Sequence, residues 1–153
     1  MFLHVALNAQ LNSSQGQTQG QSKRSTPHEL DGICIVVHII EMWAVNATDE
    51  YLEWFGKQTA ESKEALLAKV LLLKEFGPQL GRPHADTLKG SRIKNLKELR
   101  ARTPTQVLRV LYYFDDKRQS LLLVGGNKKG KNEKSFYKNL IQSAEMLIER
   151  YRP

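Results

Sequence analysis

The 153-residue sequence predicts an α+β domain over residues 42–153, with helices packed on a small antiparallel sheet in the order βααβββα. Three observations carry this. Leu108, Val110, Tyr112 and Phe114 alternate through 106–114, between strand-like runs at 95–102 and 119–125, so short links would join three strands into a meander. Leu66, Val70 and Leu73 mark one face of a long helix. Phe136, Leu140, Ala144, Leu147 and Tyr151 step by three or four and define an amphipathic closing helix.

Taken in order, WAVNAT (43–48) is rich in β-formers and reads as the first strand. Thr48 or Asp49 can cap the next helix, which carries Tyr51, Leu52, Trp54 and Phe55. After Gly56, Thr59 is the expected N-cap of the long helix, with Glu61 in its first turn, and Gly77-Pro78 stops it. An αα-hairpin results. Residues 80–94 show no period and several turn formers, so they read as irregular. The alternation of the middle strand leaves Arg109 and Tyr113 opposite its apolar face, and the same parity puts Glu98, Arg100 and Arg102 on one face of the strand before it. Asp115 to Arg118 supplies a polar hairpin turn.

Residues 8–26, a Gln/Ser/Gly/Asn-rich run, have almost nothing apolar to offset the entropy of ordering and read as disordered. Residues 1–41 are therefore expected to be a flexible tail ending in a short strand at 33–40, or an upstream extension of the reading frame before a start at Met42. As an extension, 33–40 would add an edge strand or an aggregation-prone segment. No apolar stretch approaches the roughly 18 residues of a membrane span. The opening has no positive n-region and no secretory pattern. The single cysteine, Cys34, excludes an intrachain disulfide and a Cys-rich zinc cage, and it fits a reducing compartment. A cytoplasmic protein with no membrane partner is expected.

The 23 Lys and Arg exceed the 16 Asp and Glu, for a formal charge of +7, which favours anionic partners. The excess is local. Residues 82–138 hold 15 basic and five acidic side chains, a net +10. Positive charge thus belongs to the sheet and its loops, as a phosphate-binding face requires. Any one of these cations could equally serve solubility. As a set, Arg100, Arg102 and Arg109 on neighbouring strands and the loop NKKGKNEK (127–134) could converge on one surface. Gly125-Gly126 lacks phosphate-loop spacing and reads as a strand end or bulge. No His/Cys/carboxylate cluster has metal-ligand spacing, so no metal or cofactor is expected.

This order of elements, with LGRPHADTLKGSRIKNLKELRAR (80–102), LRVLYYFDDKRQSLLLVGGNKKG (108–130) and FYKNLIQSAEMLIERY (136–151), resembles the RelE/ParE toxin superfamily, and within it the phage-derived HigB-like branch. The likeness covers nearly all of 42–153. It rests on the Leu-Lys-Gly turn at 88–90, the Glu-Leu-Arg strand at 98–100, the Arg-Val-Leu-Tyr strand at 109–112 and the Lys-rich loop. Members begin just before a strand like 43–48, which favours a start near Met42.

The resemblance implies a RelE-like fold and the toxin of a type II toxin–antitoxin pair: a metal-independent endoribonuclease that cuts mRNA in the ribosomal A site. An antitoxin, in this branch a helix-turn-helix protein, would hold it inactive, so DNA would be met only through the antitoxin. Carried over by motif, Arg100 and Arg109 would hold the phosphate and the transition state. Lys129 would aid proton transfer, and Tyr137, in the first turn of the last helix, would lie near the scissile phosphate. Lys89, Arg92, Lys94, Arg102, Lys128 and Lys131 would bind mRNA or ribosomal RNA. Alternatives stay open: Tyr137 as helix packing, Arg109 as a structural partner of Glu98, and the whole chain as a gyrase-inhibiting ParE-like toxin or an inactive relative, since one fold hosts several activities. Some members use histidines near the C-terminus. This chain has only His4, His28, His38 and His84, so proton transfer would fall to Lys or Tyr, with the pKa lowered for a general base.

Overall fold

The structure, a computed structural model, describes residues 42–151. The expectations for 1–41, including the strand at 33–40, lie outside the described residues. The elements are β1 (Ala44–Ala47), α1 (Asp49–Gly56), α2 (Ala60–Phe76), a 3-10 turn (Gly77–Gln79), β2 (Ala85–Thr87), β3 (Lys97–Arg102), β4 (Val107–Phe114), β5 (Gln119–Asn127) and α3 (Glu133–Tyr151). Among the described residues no helix is long and apolar enough to cross a membrane.

Both caps read from the sequence form. Thr48 accepts a hydrogen bond from the Tyr51 N–H at 3.1 Å and donates its own hydroxyl to the Leu123 carbonyl at 2.6 Å, which ties the start of α1 to β5. Thr59 accepts from the Ser62 N–H at 3.2 Å. Gly77 ends α2 with φ near 55°, a conformation that favours glycine, and a Cβ there would fall 2.3 Å from the Trp43 ring.

The five strands run in the order β1-β5-β4-β3-β2. The antiparallel meander of β3, β4 and β5 is the one expected. Two features were not legible. The irregular stretch contains β2, whose three residues are too few to display alternation and which forms by pairing antiparallel with β3. In addition, β1 lies parallel to β5 at the sheet edge, so the sheet is mixed. Strand direction is set by how the α1–α2 hairpin returns the chain, and no local pattern encodes that.

Alternation divides the core in two. Leu99, Ala101, Leu108, Val110, Tyr112 and Leu122 pack with Tyr51, Leu66 and Leu73 under α1 and α2. Leu96, Leu111 and Leu123 pack with Phe136, Leu140, Ala144, Leu147 and Ile148 of α3. The helical hairpin therefore covers one sheet face and α3 the other. A register shift in β4–β5 lies between Leu111 and Tyr112. At Gly125 and Gly126 the helices lie close on the two faces of β5: added Cβ atoms would meet Trp54 of α1 at 2.2 Å and Phe136 of α3 at 3.0 Å.

Helix α3 begins three residues before Phe136, where Asn132 accepts from the Ser135 N–H at 3.1 Å. Glu133, Lys134 and Ser135 carry no apolar residue, so periodicity misses that turn. In consequence Tyr137 is in the second turn of α3, not the first.

Gly125→Ala should destabilise the fold by about 1–3 kcal/mol through the clash with Trp54. Gly56→Ala, whose Cβ meets nothing within 4 Å, should leave stability unchanged or raise it by up to about 1 kcal/mol. Urea unfolding of the two variants checks this, and equal losses would contradict the packing described.

Candidate functional site

On the sheet face under α3, the parity of β3 and β4 brings Glu98, Arg100 and Arg109 together, with Arg100 and Arg109 opposite one another in register. Glu98 is the centre. Its carboxylate is 4% exposed and meets three partners. Oε1 lies 3.4 Å from Arg100 Nε, Oε2 lies 3.6 Å from Arg109 Nε, and Oε2 accepts from the Tyr137 hydroxyl at 2.8 Å. Arg109 in turn donates from Nε to the Tyr137 hydroxyl oxygen at 3.3 Å and from Nη1 to the Leu108 carbonyl at 2.9 Å. One carboxylate thus faces two guanidinium groups, and the trio keeps a formal charge of +1.

The two arginines differ in exposure. Arg109 is buried, at 1%, with its hydrogen bonds taken up inside the fold. The Arg100 side chain is 29% exposed, and its Nε lies 3.4 Å from the Glu98 carboxylate. Only Arg100 can reach an incoming anion without rearrangement of the core. Burial, and then donation to Glu98, pushes the Tyr137 hydroxyl above the ordinary tyrosine value. Tyr137 is therefore a hydrogen-bond donor here, and the lowered pKa that a tyrosine base requires is not what its surroundings produce.

The Lys-rich loop borders this trio. Lys128 is ion-paired with Glu133, and its ammonium lies 5.2 Å from the centroid of the Tyr137 ring. The hydrogen bond from Lys128, and then its charge, holds the Glu133 carboxyl below the usual carboxylate range; Arg109 and Arg100 add to the same effect. Asn127 shapes the loop by accepting from the N–H groups of Val107 and Lys129. Lys129 itself is exposed. Lys131 lies 5.8 Å from the Phe136 ring centroid and lines a second cavity of about 390 Å³ beside Gly126.

Residues 53–149 match the family described as phage derived protein Gp49-like (DUF891). The chain belongs to this family. Two curated relatives of the Gp49-like chain come from Mycobacterium tuberculosis strain H37Rv. The putative toxin HigB2 is 37% identical over 97 residues, spanning 63% of this chain and 48% of that protein. The putative toxin HigB3 is 37% identical over 98 residues, spanning 64% of this chain and 83% of that protein. The match to HigB2 thus covers about half of that relative's length. These relatives agree with the HigB-like branch that the strand and loop motifs resemble. Among solved structures, an arginine-substituted mutant of the E. coli toxin RelE in the free state aligns with a TM-score of 0.47 at 12% identity, covering 72% of this chain and 99% of that one. The toxin–antitoxin complex RelBE2 from M. tuberculosis gives 0.36 at 18%, covering 56% and 91%.

In the Gp49-like chain the expected site residues fall into groups. Arg100, Arg109 and Tyr137 meet at Glu98, with Lys128 alongside. Lys89, Arg92 and Tyr137 line a groove of about 540 Å³ between the 89–92 turn and α3. Lys94 and Arg102 are exposed and line neither cavity. Arg102 pairs in register with Val107, whose carbonyl accepts from the Lys128 N–H, so it flanks the base of the loop. The equal standing of Arg100 and Arg109 in the sequence reading needs correction, because burial sets Arg109 behind the surface. Two carboxylates escaped the reading, Glu133 and Glu145. Glu145 is 7% exposed on the apolar side of α3, next to Ala144, and that interruption of the stripe was its signal.

Arg109→Ala should cost about 3–5 kcal/mol of folding stability, because it strips a partner from a buried carboxylate. Arg100→Ala, at a part-exposed pair, should cost less than about 1 kcal/mol. Denaturant unfolding of both variants separates them, and similar losses would contradict the asymmetry.

Proposed function

We propose that the chain is the toxin of a type II toxin–antitoxin pair, a metal-independent endoribonuclease that cuts mRNA on the ribosome and so stops translation in the cytoplasm. The observation that carries this reading is the excess positive charge at the Glu98 centre. Two arginines share one carboxylate, and Lys128, from the loop that also holds Lys129 and Lys131, stands over the ring of the tyrosine bonded to that same carboxylate. Membership of the HigB-like branch supports the same reading.

The chemistry is attack of a ribose 2′-OH on the adjacent phosphate. The O2′–P bond forms, the P–O5′ bond breaks, and the 2′-OH proton must leave as negative charge grows on the phosphorane. Fixed cations aimed at that phosphate supply the stabilisation. Arg100 is the group that meets the phosphate, exchanging its long ion pair to Glu98 for the anion. Arg109 acts behind it, holding Glu98 and Tyr137 in place and adding charge at close range. Tyr137 contributes its hydroxyl as a donor. Lys129 aids the proton transfer from the loop, where it is exposed and pairs with no carboxylate among the described residues, and the chain carries no histidine beyond His84. Lys89, Arg92, Lys94, Arg102, Lys128 and Lys131 hold the flanking mRNA or ribosomal RNA through its phosphates. A helix-turn-helix antitoxin is the protein partner, and DNA is reached only through it.

Purified protein incubated with translating ribosomes should produce discrete new mRNA 5′ ends. Arg100→Ala should reduce their yield at least about 100-fold, the scale of losing one preorganised charge donor, while folding and antitoxin binding persist. Intact mRNA in the wild-type reaction, with gyrase poisoned in a parallel assay, would overturn the reading.

A further inference from the structure

The groove beside the arginine centre has features that phosphate chemistry alone does not require. Its volume, about 540 Å³, is that of a small-ligand pocket. Its lining includes Lys89, Arg92, Lys134, Tyr137, Lys138 and Ile141, an aromatic ring and an aliphatic side chain among four cations. Two acids also line it, Glu133 and Glu145, and both are already paired, with Lys128 and Arg92. Lys89, Lys134 and Lys138 are left with no carboxylate partner among the described residues.

The far wall is held in place. Glu145, buried on α3, accepts from the Arg92 N–H at 2.7 Å, from the Ser91 hydroxyl at 2.9 Å and from Arg92 Nε at 3.0 Å. These contacts fasten an exposed turn to a helix and so form the far wall of the groove. Gly90, with φ near 85° and nothing within 4 Å of an added Cβ, leaves the mouth clear. At the other end Tyr137 belongs both to the groove and to the Glu98 centre.

We infer that this groove is a nucleotide subsite for single-stranded RNA. It takes the base next to the phosphate held at Arg100 against Tyr137 and Ile141, and it takes the next phosphate along the strand on Lys134 and Lys138. Single-stranded RNA suits such a surface because its unstacked bases expose flat faces to aromatic side chains while the backbone follows cations. Glu145 is its positioning residue. The inference rests on the nuclease reading and adds Lys134, Lys138, Ile141 and Glu145 to the residues that govern it.

The test uses the full chain and a fluorescent, uncleavable 2′-O-methyl RNA oligonucleotide, titrated at several salt concentrations. Lys134→Ala/Lys138→Ala should weaken binding about tenfold or more at low salt and lower the salt slope by about 1.4, the value for two lost single-strand phosphate contacts. The charge-matched control Lys57→Ala/Lys117→Ala, outside the groove, should change neither by a comparable amount. Ile141→Ala should weaken binding with the slope unchanged. Glu145→Gln should weaken binding and shift the cleavage pattern on ribosomes, which a loss of stability alone would not do. Equal effects of the two lysine pairs would overturn the subsite. So would unchanged RNA binding by Lys134→Ala/Lys138→Ala accompanied by lost binding of a poly-glutamate peptide, which would make the groove a protein site. Wild-type protein that binds the oligonucleotide through these lysines but never cleaves mRNA would overturn the nuclease reading and leave the subsite standing.

Glu145 also gives a pH signature. The Arg92 N–H bond is the largest cause of its lowered pKa, followed among the favourable contacts by the Arg92 and Ser91 side chains, and burial opposes them. The folded value therefore lies below the unfolded one. Its contribution to stability is complete above the ordinary carboxylate range and is lost as pH falls through the lowered value. Glu145→Gln should accordingly flatten part of the acid limb of stability against pH, read by urea unfolding between pH 3 and 6; an unchanged limb would remove Glu145 as the anchor of the 91–92 turn.

Discussion

The structure depends on one charge taken out of water. A carboxylate buried to the extent of Glu98 loses most of its hydration, and the loss is offset only by donors brought to it from elsewhere in the chain. Those donors come from three elements: Arg100 from its own strand β3, Arg109 from β4 and Tyr137 from α3. Without the carboxylate, two guanidinium groups opposite one another in register would repel. Without the arginines, an anion would be stranded beneath a helix. Each group makes the others tolerable.

The layer arrangement determines what this cluster can do. A sheet covered by α1 and α2 on one face and by α3 on the other has no room for charge in its middle, so the polar side chains of β3 and β4 collect near the start of α3, where Tyr137 meets them. Coverage by α3 is uneven. It hides Arg109 and leaves part of Arg100 in solvent, and a symmetric-looking pair becomes one surface group with a second charge behind it. The Lys-rich loop follows β5 directly and needs no extra element to arrive at the same edge, because Lys128 continues the β4 pairing through the Val107 carbonyl.

Much of this was readable from the sequence, and what was not has definite physical causes. Caps at Thr48 and Thr59, the meander and the division of β4 into two faces all follow from local spacing, and they formed as expected. The shared parity of Glu98 and Arg100 was visible too, and it pointed to the cluster. Strand β2 exists only through pairing with β3, a strand further along the chain, and the direction of β1 depends on the return path of a helical hairpin. Neither leaves a periodic trace. The different exposure of Arg100 and Arg109 is set by where α3 lies, which no property of either strand contains. Glu133 and Glu145 were missed because reading for cations draws attention away from the acids that hold those cations in position.

Helix α3 has a consequence for how the site could be dismantled. It carries Tyr137 near one end of the groove and Glu145 two turns further on, about 12 Å along its axis, and it lies on the sheet through a stripe of apolar side chains and the Tyr137 hydroxyl on Glu98. A pull that tilted this one rod would withdraw the tyrosine from the buried anion and release the 91–92 turn in the same motion. The arginine centre and the adjoining groove therefore fail together, and an agent that shifts the rod disarms both without touching either.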